Sequence, residues 1–264
     1  MAETDQDDGK MPILEHLVEL RTRLMWSVVA FICCFLVSFY FSEPIFNFLI
    51  QPLADLWKGQ PDRRLIFTAM TEKFFTDVKI AFFVGAFVSF PIIANQLWLF
   101  VAPGLYKHEK RAFLPFLIAT PVLFFLGGAF VYFLVMPVAW HFFAGFEQTA
   151  AQGPLAIHLE PKVNEYLSLV MQLIFAFGLC FELPVVMSLL TKVGIIGTAG
   201  MRKNRRYAIL IAFVAAAILT PPDPLSQLGL AGPIILLYEI SILCARLIEK
   251  RADEAQREAE AAEI

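Results

Sequence analysis

Charge is what this sequence has least of. Only 17% of its 264 residues are Asp, Glu, Lys or Arg, while 58% are hydrophobic and the mean hydropathy is +0.67. A water-soluble domain carries about 25% charge and about 45–50% apolar residues. The apolar excess lies in long runs, which excludes a soluble globular chain and marks an integral membrane protein. Cysteine is scarce as well. Cys33, Cys34, Cys180 and Cys244 all fall inside apolar runs and none has metal-ligand spacing, so they read as small buried hydrophobes. The histidines stand at segment ends or in loops, so neither a metal site nor a cofactor is expected. A His-Glu-x-x-His zinc pair, a Gly-x-Ser-x-Gly elbow and a phosphate loop are all missing. No histidine lies at membrane depth to serve an intramembrane serine protease, so no enzyme is expected. The basic residues follow the order of the segments rather than forming a patch, which gives nucleic-acid binding no support. An internal repeat is absent too, and with it the inverted-repeat signature of many secondary transporters. Finally, the first ten residues are acidic (Glu3, Asp5, Asp7, Asp8) where a secretory signal would need a basic region. The first apolar run is therefore expected to remain as an anchor.

What is present is an all-α pattern. Over 11–23, Ile13, Leu14, Leu17, Leu20 and Leu24 recur at three- and four-residue steps, the stripe of an amphipathic helix lying in the headgroup region. Glu15 and Glu19, four apart, share one face of it. A hydrocarbon core of about 30 Å needs about 20 apolar helical residues. Six segments fit a span, two of them poorly: 24–41, 78–100, 112–139, 166–193, 207–219 and 225–245. The fifth rises only about 20 Å, and Glu239 shortens the sixth, so the bilayer is expected to thin beside these two C-terminal spans. The chain thus divides into an acidic leader with the amphipathic helix (1–23), a six-span membrane domain (24–245) and a charged tail (246–264). With the N-terminus inside, 15 of the 21 Lys and Arg fall on the inner side and 6 on the outer, which predicts that both termini face the cytoplasm. The first outer loop, 42–77, holds a shorter apolar piece at 45–53 that ends near Pro52 and suits a small cap of surface helices. Pro91, Pro115, Pro121, Pro137, Pro184 and Pro233 lie in or at the ends of spans, and each removes a helical hydrogen bond. The expected result is a kinked, curved wall rather than a parallel bundle.

Few polar side chains interrupt this wall. Glu182 sits deep in the fourth span, where an ionisable group costs several kcal/mol unless paired, protonated or hydrated. It fits either a carboxyl bonded to a neighbouring helix or a polar spot in a substrate-facing concavity. Asn95, Gln96 and Gln172 are milder versions of the same signal. The stretch 95–111 leaves the membrane at Pro103-Gly104 and becomes a charged loop in which Glu109 stands among Lys107, Lys110 and Arg111. By spacing alone, Glu109 and Glu19 also read as ordinary surface charges, Glu19 pairing with Arg23 one helical turn on.

Taken as a set, these motifs carry a resemblance. Glu15-His16-Leu17-Val18-Glu19-Leu20-Arg21-Thr22-Arg23, Gln51-Pro52-Leu53, Phe74-Phe75, the run from Gln96 to Leu105 followed by Tyr106-Lys107-His108-Glu109, Phe177-Gly178 through Pro184, and Leu219-Thr220-Pro221-Pro222-Asp223 are similar to those of the TatC family, the multispanning core of the twin-arginine protein translocase. The resemblance covers about 12–248. It implies a receptor in the bacterial cytoplasmic (inner) membrane that binds twin-arginine signal peptides of folded precursors. It implies assembly into homo- and hetero-oligomers with TatA- and TatB-type single-span proteins, and transport driven by the proton-motive force. Carried over by motif, Glu19 and Glu109 contact the signal peptide, with Arg21 and Phe100 supporting. Pro52 becomes a structural outer-loop position, Glu182 the intramembrane acid and Asp223 part of the last outer turn. The physics agrees, because a carboxylate at the headgroup boundary takes a guanidinium bidentately and lysine cannot reproduce that fork. The competing reading, a secondary transporter of a small solute, calls for a repeat and opposed midplane charges. The sequence offers one clear midplane acid and no basic partner.

Overall fold

A computed structural model describes residues 13–59, 63–101, 110–147, 159–219 and 224–262. Glu109, Asp223 and the Pro103-Gly104 turn lie outside the described residues. The described chain is helical apart from turns and one isolated parallel bridge, Ile66 with Lys162. In chain order the helices are α1 (Ile13–Tyr40), α2 (Ser42–Leu56), α3 (Glu72–Val101), α4 (Lys110–Phe130), α5 (Met136–Ala144), α6 (Val163–Phe181), α7 (Leu183–Lys192), α8 (Thr198–Lys203), α9 (Arg205–Leu219) and α10 (Pro224–Ala262). A π-helical turn, Val131–Val135, joins α4 to α5 without a break. Five stretches are long and apolar enough to cross a bilayer: His16–Tyr40, Glu72–Phe100, Pro115–Ala144, Val163–Lys192 and Gln227–Glu258. The expected sixth span is α9, whose 15 residues rise about 22 Å. Long helices are what lipid demands, since backbone amides there find no water.

The amphipathic segment expected over 11–23 is continuous with the first span. Ile13 to Tyr40 is one helix of 28 residues, because nothing in the sequence near position 23 breaks it. This helix leans almost wholly on α3. Only 6% of its most apolar window is buried. The closest approach is at Gly85, where an added Cβ would stand 2.8 Å from the Cα of Phe35. A side chain there would push α1 away, the usual reason for a small residue where membrane helices meet.

α2 caps the opposite end, and Pro52 explains how it is fastened. Pro52 is buried inside α2 and has no N–H, so the carbonyl of Phe48 loses its helical donor. The Tyr132 hydroxyl donates to that carbonyl at 2.8 Å, and the Tyr132 and Phe48 rings stack 4.4 Å apart. Tyr166 donates to the next carbonyl, Leu49, at 3.2 Å. Tyr132 belongs to the π turn, where the Met136 N–H reaches back to the Val131 carbonyl. π turns reposition side chains by inserting a residue, and this one aims Tyr132 at the cap. Three further ties close this end. Arg63 pairs with Glu147 across 84 residues, Glu147 also accepts from the Leu159 N–H at 3.0 Å, and the Ile66–Lys162 bridge joins the segments that precede α3 and α6. Glu147 holds the Arg63 guanidinium above its ordinary pKa through their hydrogen bonds.

Between cap and opposite end the core is apolar, with Ile80, Val131, Met136, Leu167 and Phe177 buried. α4 and α6 touch backbone to backbone, because Gly127 leaves only 2.6 Å for a Cβ before the Phe177 carbonyl. Pro137 and Pro184 stand in the first turns of α5 and α7, where proline is tolerated, rather than inside a helix. The interruptions fall just upstream of them, at the π turn and at Glu182. At the end of the bundle bearing Glu19, Arg205 opens α9 and pairs with Glu239 of α10 at 2.6 Å. α10 then runs on to Ala262, so the charged tail is helix as far as that residue. Glu249 of this extension accepts from the Thr198 N–H at 2.8 Å and its hydroxyl at 2.6 Å, holding α8 down.

Candidate functional site

The two helices that meet at Gly85 also border an open recess of about 440 Å³ at their Glu19 end. Glu19, Thr22, Arg23 and Trp26 line it from α1, Gln96 and Leu99 from α3. The spacing is helical: positions 19, 22, 23 and 26 form one face of α1. Glu19 and Arg23 are half-buried, their side chains 22% and 24% exposed. Both Nε and Nη2 of Arg23 donate to the same oxygen, Glu19 Oε1, at 2.9 and 2.5 Å. Nη1 reaches Gln96 Oε1 at 3.4 Å, a weak contact that ties α1 to α3. Among the described residues no hydrogen bond uses Glu19 Oε2. One turn before Glu19, outside the lining of the recess, the Phe100 ring stacks on His16 at 4.3 Å and ties α3 to α1.

The structure therefore brings Glu19 and Gln96 from the sequence expectations to one recess, with Phe100 nearby, and bears out the spacing that paired Arg23 with Glu19. It adds Trp26 and His16, which the sequence reading had not singled out. Arg21 is not brought to the recess. It is exposed and lies two residues, about 200° around the helix, from Glu19. Glu109 follows α3 by a few residues but lies outside the described residues, as does Asp223. Pro52 is at the cap, with the fastening role described above.

Glu182 is a separate polar point. It is 7% exposed at the joint between α6 and α7, where its N–H turns back to the Leu179 carbonyl at 3.1 Å. Thr120 of α4 is within hydrogen-bonding reach of its carboxyl, and Oε1 has no partner among the described residues. Thr120 in turn accepts from the Trp98 indole N–H at 3.2 Å. A single turn of α3 thus sends Gln96 and Leu99 toward the Glu19 recess and Trp98 toward the Glu182 joint. Buried polar atoms without partners are unusual, and an ionisable group within a span is costly unless paired, protonated or hydrated. Among the described residues no cluster of His, Cys, Asp or Glu could hold a metal ion.

Comparison with known proteins fits this geometry. The family model described as Sec-independent protein translocase protein (TatC) matches residues 15–233. The Sec-independent protein translocase protein TatC of Magnetococcus marinus is 51% identical over 254 residues, covering 96% of this chain and 91% of that protein. The TatC of Escherichia coli K12 is 40% identical over 240 residues, covering 90% of each. A crystal structure of a twin-arginine translocase receptor, TatC, superposes with a TM-score of 0.77 at 41% identity, over 89% of this chain and 99% of that one. No secondary transporter is needed to explain the fold. The chain belongs to the TatC family of Sec-independent protein translocase proteins.

Proposed function

We propose that this TatC-family protein is the receptor that reads twin-arginine signal peptides of folded precursors at the cytoplasmic face of the bacterial inner membrane. One observation carries the reading: Glu19 presents a half-buried carboxylate in an open recess, with one oxygen unengaged among the described residues. An arginine pair needs two such acceptors at headgroup depth. Glu19 is the first, and Glu109, nine residues after Phe100 in the sequence, is the second. Phe100 on His16 and the exposed Trp26 flank the path with rings that guanidinium planes stack upon. The peptide's apolar stretch then lies along the lipid-facing side of α1 and α3. Arg21 supports from the adjacent headgroup surface.

The positive-inside distribution favours cytoplasmic termini and places the cap outside. The chain works as a translocase component without enzymatic chemistry, assembling in homo- and hetero-oligomers with TatA- and TatB-type single-span proteins and using the proton-motive force. Glu182, buried at the joint between α6 and α7 with an oxygen unpartnered among the described residues, suits the intramembrane acid of that machinery.

Titration of the protein in nanodiscs with a labelled Arg-Arg signal peptide tests the receptor reading. Binding is expected to fall at least about tenfold with Glu19→Gln, with Glu109→Gln, and with a Lys-Lys peptide, the loss of one charge-assisted pair. Equal binding in all four arms would sink it.

A further inference from the structure

The recess already contains a guanidinium. Arg23 sits one turn from Glu19, half-buried like it, and sends Nε and Nη2 to the carboxylate. Its third contact, Nη1 to Gln96 on α3, is long at 3.4 Å. The arrangement is what an arriving arginine would make, except that both donors crowd one oxygen and Oε2 has no partner among the described residues. From this geometry we infer that Arg23 is a resident ligand of Glu19, a positioning residue that an incoming arginine displaces. The inference rests on the receptor reading above and extends it to how the empty site is held.

Displacement follows the chemistry of the pair. The incoming guanidinium engages Oε2 first, while Arg23 still holds Oε1. The newcomer then takes both oxygens in parallel, which a planar fork satisfies better than two donors on a single oxygen. Arg23 swings out and returns when the peptide leaves. Its release is inexpensive because it is tethered by one strong partner and one weak one. Trp26, one turn on and well exposed, offers a ring face over which the displaced guanidinium rests.

Such a ligand raises the dissociation constant of every peptide by the same factor, since each must first empty the carboxylate. The ratio between Arg-Arg and Lys-Lys peptides is untouched. What changes is the absolute scale: the weaker class is pushed below occupancy while the stronger stays within it. Arg23 thus works as an affinity threshold rather than a discriminator. It also keeps a half-buried carboxylate paired when no peptide is present, which spares the desolvation cost of an unpaired charge.

The test is an equilibrium titration of the full-length protein in nanodiscs with labelled Arg-Arg and Lys-Lys peptides, comparing wild type, Arg23→Gln, Arg23→Lys and Glu19→Gln. Arg23→Gln is expected to tighten both peptides by a common factor of about three to ten, the range for one partly buried two-donor pair. Arg23→Lys keeps the charge and loses the fork, so it tightens both by a smaller factor. Simple charge repulsion predicts instead that Arg23→Lys matches wild type, and that result overturns the proposal. So does unchanged or weaker binding in both Arg23 variants while Glu19→Gln abolishes binding; the receptor reading then survives alone. If Glu19→Gln leaves wild-type affinity intact, the receptor reading itself fails and the threshold with it.

Discussion

At the scale of single residues, the polar side chains of this protein divide into those that fasten and those left with unused capacity. Tyr132, Arg63 and Glu249 fasten: each answers a specific backbone group or charge across a long loop. Glu19 and Glu182 each keep one carboxylate oxygen without a partner among the described residues, and that is why the proposal rests on them. Substitution separates the two kinds. Glu182→Ala removes a carboxyl whose Oε1 has no partner among the described residues, but it also takes away the contact with Thr120 and leaves a small void, so the variant should lose about 1–3 kcal/mol of stability. It is expected to assemble with its partners and to export precursors poorly. Pull-down of the complex together with an export assay checks both halves, and normal export by the variant would remove Glu182 from the mechanism. Position decided these roles more than residue type did. Arg21 and Arg23 are the same residue type, yet only Arg23, four residues from Glu19, shares its helix face.

At the scale of elements, the informative features are interruptions. α2 survives a buried proline because the π turn delivers a tyrosine hydroxyl to the carbonyl that Pro52 orphans. The two devices are one solution, and a double-mutant cycle exposes the link. Tyr132→Phe should cost about 1–3 kcal/mol by leaving the Phe48 carbonyl unpaired in an apolar setting. In a Pro52→Ala background, which restores the helical donor, the same change should cost much less. Denaturation midpoints in detergent measure the four corners, and additive costs would show that the tyrosine acts elsewhere. The pair α9 and the apolar part of α10 is the other irregularity. Arg205–Glu239 fixes where both meet the Glu19 end, and the 15 residues of α9 rise only about 22 Å against a core of about 30 Å. Spin labels stepped along α9 should therefore report a thinned bilayer beside it, with shallower maximum depths than labels on α6. Equal depths would refute thinning.

For the whole molecule, the account is of a wall fastened at its cap and open at the other end, where α1 leans on α3 and little else. Much of this wall was legible from hydropathy. Lipid permits only helices, so long apolar runs located α1, α3, α4 with α5, α6 with α7, and α10, and the 13-residue expectation for α9 missed only Arg205 and Arg206 at its start. Less legible were the joints. Position 23 offers no breaker, so the amphipathic stretch simply continues into the span, and an apolar stripe by itself does not say where its helix stops. The π turn has no sequence mark beyond Pro137 nearby. The recess was half legible: Glu19 and Gln96 are polar where polarity is costly, but their meeting through Arg23 depends on how closely Gly85 lets α1 approach α3, which no local pattern encodes. The central claim, that this recess is where paired arginines are read, is tested most directly by photo-crosslinking. An Arg-Arg signal peptide with a photoreactive residue beside its arginines is added to the protein, and the labelled positions are mapped by mass spectrometry. The account predicts adducts on α1 between Glu19 and Trp26 and on α3 from Gln96 to Phe100, lost with a Lys-Lys peptide. Adducts confined to α9, α10 or the cap, or indifferent to the change to lysine, would contradict it.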